Sequence, residues 1–188
     1  MYFNEMLEKY KDWKLLRIFL ENPDHDFYTK KISRQTGIGV GTVNNFLRNI
    51  HKDNILIKEI VGNVHLYRLN DELELVKQLK IFNMLLEFKQ YNLIEQFLKI
   101  DNTIISIILY GSYANGENDS KSDIDLLFIT NNKKNFISII QQLEEKMKKS
   151  ISIQKMNISD WQTLKEKDRT FYESIIVNHI VLYGSGLP

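Results

Sequence analysis

No cysteine occurs among the 188 residues. This excludes disulfides, thiolate metal sites and a cysteine nucleophile, and it fits a reducing cytoplasm. An apolar run long enough to cross a membrane is also lacking. The opening segment MYFNEMLEKYKDWKLLRIFL carries charges throughout, where a secretory signal would hold an uninterrupted apolar core. The expectation is a soluble cytoplasmic protein with no membrane partner. Phosphate-binding P-loops, dinucleotide glycine fingerprints, repeats and low-complexity tracts are missing as well. The four histidines, His25, His51, His65 and His179, show no metal-ligand spacing. What is present is a chain long enough to bury a core, of a length that suits two small domains.

Net charge is only +1, but it is unevenly spread. Residues 1–70 hold 11 basic and 8 acidic side chains, against 14 and 16 in the remainder. Within them, Tyr28 to Lys52 contains Lys30, Lys31, Arg34, Arg48 and Lys52 and no acid at all. Only this part of the chain is composed for a polyanion.

Leu15, Leu16, Phe19 and Leu20 recur at helical spacing, and ENPD stops that helix. The segment YTKKISRQTG predicts a second short helix closed by Gly37. Gly37, Gly39 and Gly41 permit a sharp turn, after which Thr42 is the expected cap of a helix burying Val43, Phe46, Leu47 and Ile50. NILIKEIVGNVHLYRLN then reads as a hairpin turning at Gly62-Asn63. This order resembles a winged helix-turn-helix over about residues 12–70, and KISRQTGIGVGTVNNFLRNIHKDNILIKEIVGNVHLYRLN looks like archaeal and bacterial regulators of that class. The resemblance implies that Thr42 to Lys52 enter the major groove of double-stranded DNA, with the wing on backbone or minor groove. The candidate DNA-binding residues are Lys30, Lys31, Arg34, Thr42, Asn44, Asn45, Arg48 and Lys52. Winged helices also serve as protein-interaction modules, and both uses stay open.

From Asp71 to Ile100 the pattern predicts a long helical segment. Leu75, Leu79, Phe82 and Leu86 form one stripe, and Ile81, Met84, Leu85 and Phe88 widen it beyond a single face. Such a helix needs more than one partner, and a homodimer reading two half-sites is expected.

The chemistry is concentrated in ISIILYGSYANGENDSKSDIDLLFIT. TIISIILYGS predicts a strand buried on both faces, and SDIDLLFIT predicts a second. Alternation along that second strand puts Asp123 and Asp125 on one side. Two adjacent carboxylates repel, so a divalent cation, Mg²⁺ or Mn²⁺, is their natural partner. Gly111 lets the main chain approach a ligand closely, and the Ser112 hydroxyl and nearby N–H groups suit phosphates. Together these parts suit a nucleoside triphosphate.

GSYANGENDSKSDIDLLF is similar to the glycine-serine and Asp-x-Asp signature of the polymerase beta-type nucleotidyltransferase superfamily, particularly its minimal domains, over roughly residues 92–188. The resemblance implies a small mixed sheet flanked by helices and transfer of a nucleotidyl group from NTP to a hydroxyl with release of pyrophosphate. It assigns Asp123 and Asp125 as catalytic and metal-binding, and Gly111 and Ser112 as nucleotide-binding. In the active pattern a third carboxylate on the next strand completes the metal site. Here a helix over 133–149 leads to the strand SISIQKM, whose candidate positions are Ser152 and Gln154, neither acidic. Glu144, Glu145 and Asp160 are the substitutes to consider, and Asn115 stands where the family often has arginine.

NISDWQTLKEKDRTFYESIIVNHIVLYGSG predicts a capped helix from about Ser159, a second ending near Asn178, and a strand from His179 to Tyr183. Trp161, Phe171 and Tyr172 are expected in the core or a pocket wall. The second LYGS, at Leu182 to Ser185, should close an edge strand.

The expected class is α+β: a winged helix-turn-helix over 1–70, linking or dimerising helices over 71–100, and a nucleotidyltransferase-like domain over 101–188. Three functions compete. One is a DNA-binding protein with a metal-dependent nucleotidyltransferase acting on a protein or nucleic-acid hydroxyl. Small domains of that family include antitoxins that adenylylate a toxin, so a protein partner is plausible. Another is a transcriptional regulator whose degenerate domain binds NTP without catalysis. The third is a scaffold retaining neither activity.

Overall fold

The structure is a computed structural model that describes residues 2–132 and 134–187. The chain divides into two compact units, Met1–Asn83 and Met84–Pro188.

In the first unit, helices α1 (Tyr2–Leu7), α2 (Lys11–Glu21), α3 (Thr29–Thr36) and α4 (Val40–Lys52) precede the antiparallel strands β1 (Leu56–Val61) and β2 (Val64–Leu69). The apolar stripes converge on one core containing Leu15, Phe19, Ile32, Val43, Leu47, Leu56 and Leu69. Phe27 joins it edge-to-face with Phe19, with ring centroids 5.2 Å apart, and exchanges backbone hydrogen bonds with Tyr67. Gly37 takes the left-handed conformation that ends α3, and Gly62 turns the hairpin. Thr42 does not cap α4. The helix begins at Val40 with Gly39 preceding it, so Thr42 lies inside the first turn, exposed.

The expected 71–100 helical segment is two helices, α5 (Glu74–Gln90) and α6 (Leu93–Ile100). Asn92, at φ 49, breaks the helical path between them, a conformation asparagine tolerates better than most residues. Along α5, Val76, Met84, Leu86 and Phe88 are buried, whereas Leu75 and Phe82 of the expected stripe are exposed.

In the second unit, four strands form one mixed sheet: β3 (Ser106–Tyr110), β4 (Ile124–Ile129), β5 (Ile151–Met156) and β6 (His179–Tyr183), in the order β5-β4-β3-β6. β3 is antiparallel to β4 and β6, while β4 and β5 are parallel. A parallel pair needs a long crossover, here carrying α8 (Ile137–Met147), shorter than the expected 133–149. Lys133 lies outside the described residues. The short α7 (Ser112–Asn115) links β3 to β4, and α9 (Ile158–Lys167) and α10 (Arg169–Val177) link β5 to β6.

Both sheet faces are covered, which is why β3 is buried at every position. On one face Ile107, Leu109, Leu126 and Phe128 pack against Phe88, Phe97, Leu143 and Met147. On the other, Ile108, Tyr110, Leu127 and Ile129 meet Trp161 and Ile175. Asp125 lies on this second face, because side chains two apart on a strand point the same way. Among the described residues no helix is long and apolar enough to cross a membrane.

Candidate active site

The glycine-serine turn and the carboxylate strand meet at one end of the sheet. Tyr110, the last residue of β3, pairs with Asp125, the second residue of β4. Gly111 follows with φ 72 and ψ −157, a region open essentially to glycine. A Cβ built on Gly111 would stand 2.6 Å from Asp125 Oδ2. The glycine therefore does two things: it permits the turn and leaves room for the carboxylate behind it. The chain closes on itself after α7, where the Ser112 carbonyl accepts from the N–H groups of Glu117 and Asn118.

Asp123 is exposed one residue before β4, and Asp125 is half-buried. Burial, then the charge on Asp123, raises the Asp125 carboxyl above the usual carboxylate range, against a hydrogen bond from Ser152. Two oxygen-donor groups that repel each other at an open edge are a fit for a hard divalent cation. The donor set stops at two. Ser152 pairs directly with Asp125 across the parallel ladder, so a hydroxyl occupies the neighbouring position on that face, and Gln154 lies one pleat further along beside Leu127. Among the described residues no group of three or more His, Cys, Asp or Glu side chains is placed to hold a metal ion.

The three acidic substitutes do not supply the missing ligand. Glu144 accepts the Ile151 N–H at 2.8 Å, which commits it to the start of β5. Glu145 is exposed on α8. Asp160 lies in the first turn of α9 and lines a cavity of about 400 Å³ with Thr130, Asn132, Lys155 and Asn157. That cavity is at the opposite end of β4 from Asp125, five residues or roughly 16 Å of strand away. Asn115 bonds Glu117 through both side-chain atoms, at 2.9 and 3.0 Å, and thus closes the turn after α7.

Two tyrosines of the motif have roles that the sequence reading did not extract. Tyr110 is buried beside Asp125, and burial together with that carboxylate pushes its phenol up to about 12. Its ring meets Phe171 edge-to-face at 5.8 Å, on the sheet face that also carries Asp125. Tyr113, on α7, is buried in the opposite core, and its phenol is raised by burial, then by Glu87, Asp119 and Asp123, with a hydrogen bond from Asn118 opposing. These rings anchor the turn from both sides. Their signal was present in LYGSYANGEN as aromatic residues bracketing the glycine. Trp161 is core, packed on Tyr172.

The basic residues of the first unit lie on α3 and α4. Lys30, Arg34, Thr42, Asn44, Asn45, Arg48 and Lys52 are exposed, while Lys31 is half-buried with its amine over the Phe27 ring at 4.5 Å. Asn44 accepts a hydrogen bond from the Thr29 hydroxyl at 2.7 Å, which ties α4 to the start of α3.

A family model described as Polymerase beta, Nucleotidyltransferase matches residues 92–186, half of the chain. Among solved structures, a toxin-antitoxin with AMP-PNP is 19% identical with a TM-score of 0.38, over 50% of this chain and 73% of that one. A mutant of the toxin-antitoxin MntA-HpeT is 18% identical with a TM-score of 0.36, over 51% and 73%. A possible transcriptional regulator from Methanosarcina mazei Go1 is 21% identical with a TM-score of 0.32, over 50% and 79%. No curated protein matches the chain. Its matched half, with the glycine-serine turn seated against the Asp-x-Asp strand, identifies the chain as a member of the polymerase beta nucleotidyltransferase family.

Proposed function

We propose that residues 101–188 form a metal-dependent nucleotidyltransferase domain acting on a hydroxyl of a protein or nucleic acid, and that residues 1–70 form a winged helix-turn-helix that binds double-stranded DNA. The observation that carries the first part is the seating of the Gly111 backbone against the Asp125 carboxylate with Asp123 beside it. Asp123 and Asp125 would hold Mg²⁺ or Mn²⁺. The cation supplies neutralisation of the triphosphate and polarisation of the reacting phosphorus. Gly111 lets phosphate oxygens approach the main chain, and the Ser112 hydroxyl donates to them. Tyr110 and Phe171 exclude water from one side, and Ser152 orients Asp125 by donating to it. The acceptor oxygen bonds to the α-phosphorus as the bond to pyrophosphate breaks, and the acceptor proton is lost to solvent.

A second reading is favoured by Ser152, which stands where a third carboxylate would prepare the acceptor. In that reading the chain is a transcriptional regulator that binds NTP without turning it over. Incubation with labelled NTP, Mg²⁺ or Mn²⁺ and cell extract separates the two. Label transfer by the natural chain, lost in Asp123→Ala with Asp125→Ala, supports the enzyme. Binding without transfer, with transfer appearing in Ser152→Asp, supports the regulator.

DNA binding is supported by the acid-free stretch and by the exposure of its polar and basic side chains on α3 and α4. An electrophoretic shift that weakens in Arg48→Ala and Lys52→Ala is the expected result; a shift indifferent to both changes contradicts the assignment.

A further inference from the structure

We propose that the outer face of the β1–β2 hairpin is a self-association surface, occupied by the same face of a second copy of this chain. Strand pairing fixes which residues share that face. Ile57 pairs with Arg68, Glu59 with Leu66, and Val61 with Val64. Leu56, Tyr67 and Leu69, on the opposite face, are buried in the core of the first unit. A two-stranded sheet with one covered face should be polar on the other. Here the outer face carries four apolar side chains beside Glu59 and Arg68: Ile57 is 37% exposed, Val61 53% and Val64 44%, with Leu66 partly covered between them; near the turn Ile60, on the other face, is also left in water at 61%. Contiguous apolar side chains left in water mark an interaction surface.

The charges on this face select the occupant. Glu59 lies between Ile57 and Val61 along β1, where it would repel a phosphate backbone and would be costly in a lipid surface. Arg68 lies diagonally across on β2, and neither side chain makes an ion pair among the described residues. A face bearing one acid, one base and an apolar patch is complementary to itself. A two-fold axis passing between Glu59 and Arg68 sets each Glu59 against the Arg68 of the other copy, twice per dimer, while Val61 and Val64 of both copies are covered. This inference goes beyond nucleotidyl transfer and DNA binding; it takes the outer face of the hairpin away from the backbone or minor-groove contact expected of a wing and leaves α3 and α4 as the basic elements facing DNA.

The test is sedimentation equilibrium of the full chain at micromolar concentrations, with thermal melting as a check on folding. The natural chain should be dimeric. Glu59→Arg and Arg68→Glu should each weaken dimerisation by about tenfold or more, since each turns two attractions into repulsions. The double exchange, Glu59→Arg with Arg68→Glu, should restore the dimer. Val61→Lys with Val64→Lys should leave a folded monomer. A natural chain that stays monomeric overturns the proposal, as does a dimer that survives both single charge exchanges.

Discussion

Gly111 and Gly184 occupy equivalent places in the two LYGS copies, yet different neighbours forbid a side chain at each. At Gly111 the obstacle is the Asp125 carboxylate, and at Gly184, at φ 86, it is the Ile105 carbonyl oxygen and the Ser106 hydroxyl. Ser106 also donates to the Gly186 carbonyl at 2.6 Å, which fastens the chain after β6 to β3. Gly111→Ala should therefore cost roughly 1–3 kcal/mol in urea unfolding, from the disfavoured φ, and should also abolish nucleotide binding. Gly184→Ala should cost at least as much, and its effect on binding should track the loss of fold. Asp125 gives a pH signature. Its carboxyl binds a proton more readily in the folded state, so it weakens the fold above the raised pKa, and that penalty fades as pH falls through it. Asp125→Asn should thus stabilise the protein at neutral pH, by an amount that shrinks in acid. Urea midpoints that fail to rise at pH 7 would contradict this electrostatic picture.

At the scale of elements, the end of β4 opposite the site is held by a buried acid. Asp101 accepts from the Thr103 hydroxyl at 2.6 Å, the Thr130 hydroxyl at 2.8 Å, the Asn132 amide at 3.2 Å and the Thr103 N–H at 2.9 Å. Burial alone would raise its carboxyl, but these donors hold it below the usual range. Its contribution to stability is present above the ordinary carboxylate pKa and is lost as pH falls through the lowered one. Thr130→Val should cost roughly 1–3 kcal/mol at neutral pH, read as a shift in the urea midpoint. Hydrophobic periodicity made several elements legible: α2, β3 and β5 lie where apolar spacing puts them, α3 ends at the Gly37 stop, and β4 is shorter than the expected SDIDLLFIT. It failed where one side chain decides the backbone. Asn92 splits the 71–100 segment through its left-handed conformation, and α4 starts at Val40 because Gly39, not Thr42, is its N-terminal boundary. Alternation was expected to put Asp123 and Asp125 on one strand, but β4 begins at Ile124, so Asp125 lies on it and Asp123 precedes it. Tyr110, Tyr113 and Phe171 were not legible, because their roles depend on which strands and helices become neighbours.

For the molecule as a whole, the two units have separate cores. DNA affinity should be a property of the first, falling steeply with salt, and Arg48→Ala or Lys52→Ala should each reduce the salt slope by about one counterion. Asp123→Ala with Asp125→Ala should leave that slope unchanged. Nucleotide binding is expected of the second unit, where a turn that favours glycine meets the strand carrying Asp125, with Asp123 one residue before that strand. The most direct measurement is calorimetric titration of the full chain with Mg·ATP, repeated for Asp123→Ala with Asp125→Ala and for each protein without metal. Saturable binding that requires the metal and vanishes in the double variant, with the thermal melt retained, is the predicted result. Equal Mg·ATP affinity in the natural chain and the double variant would contradict the site.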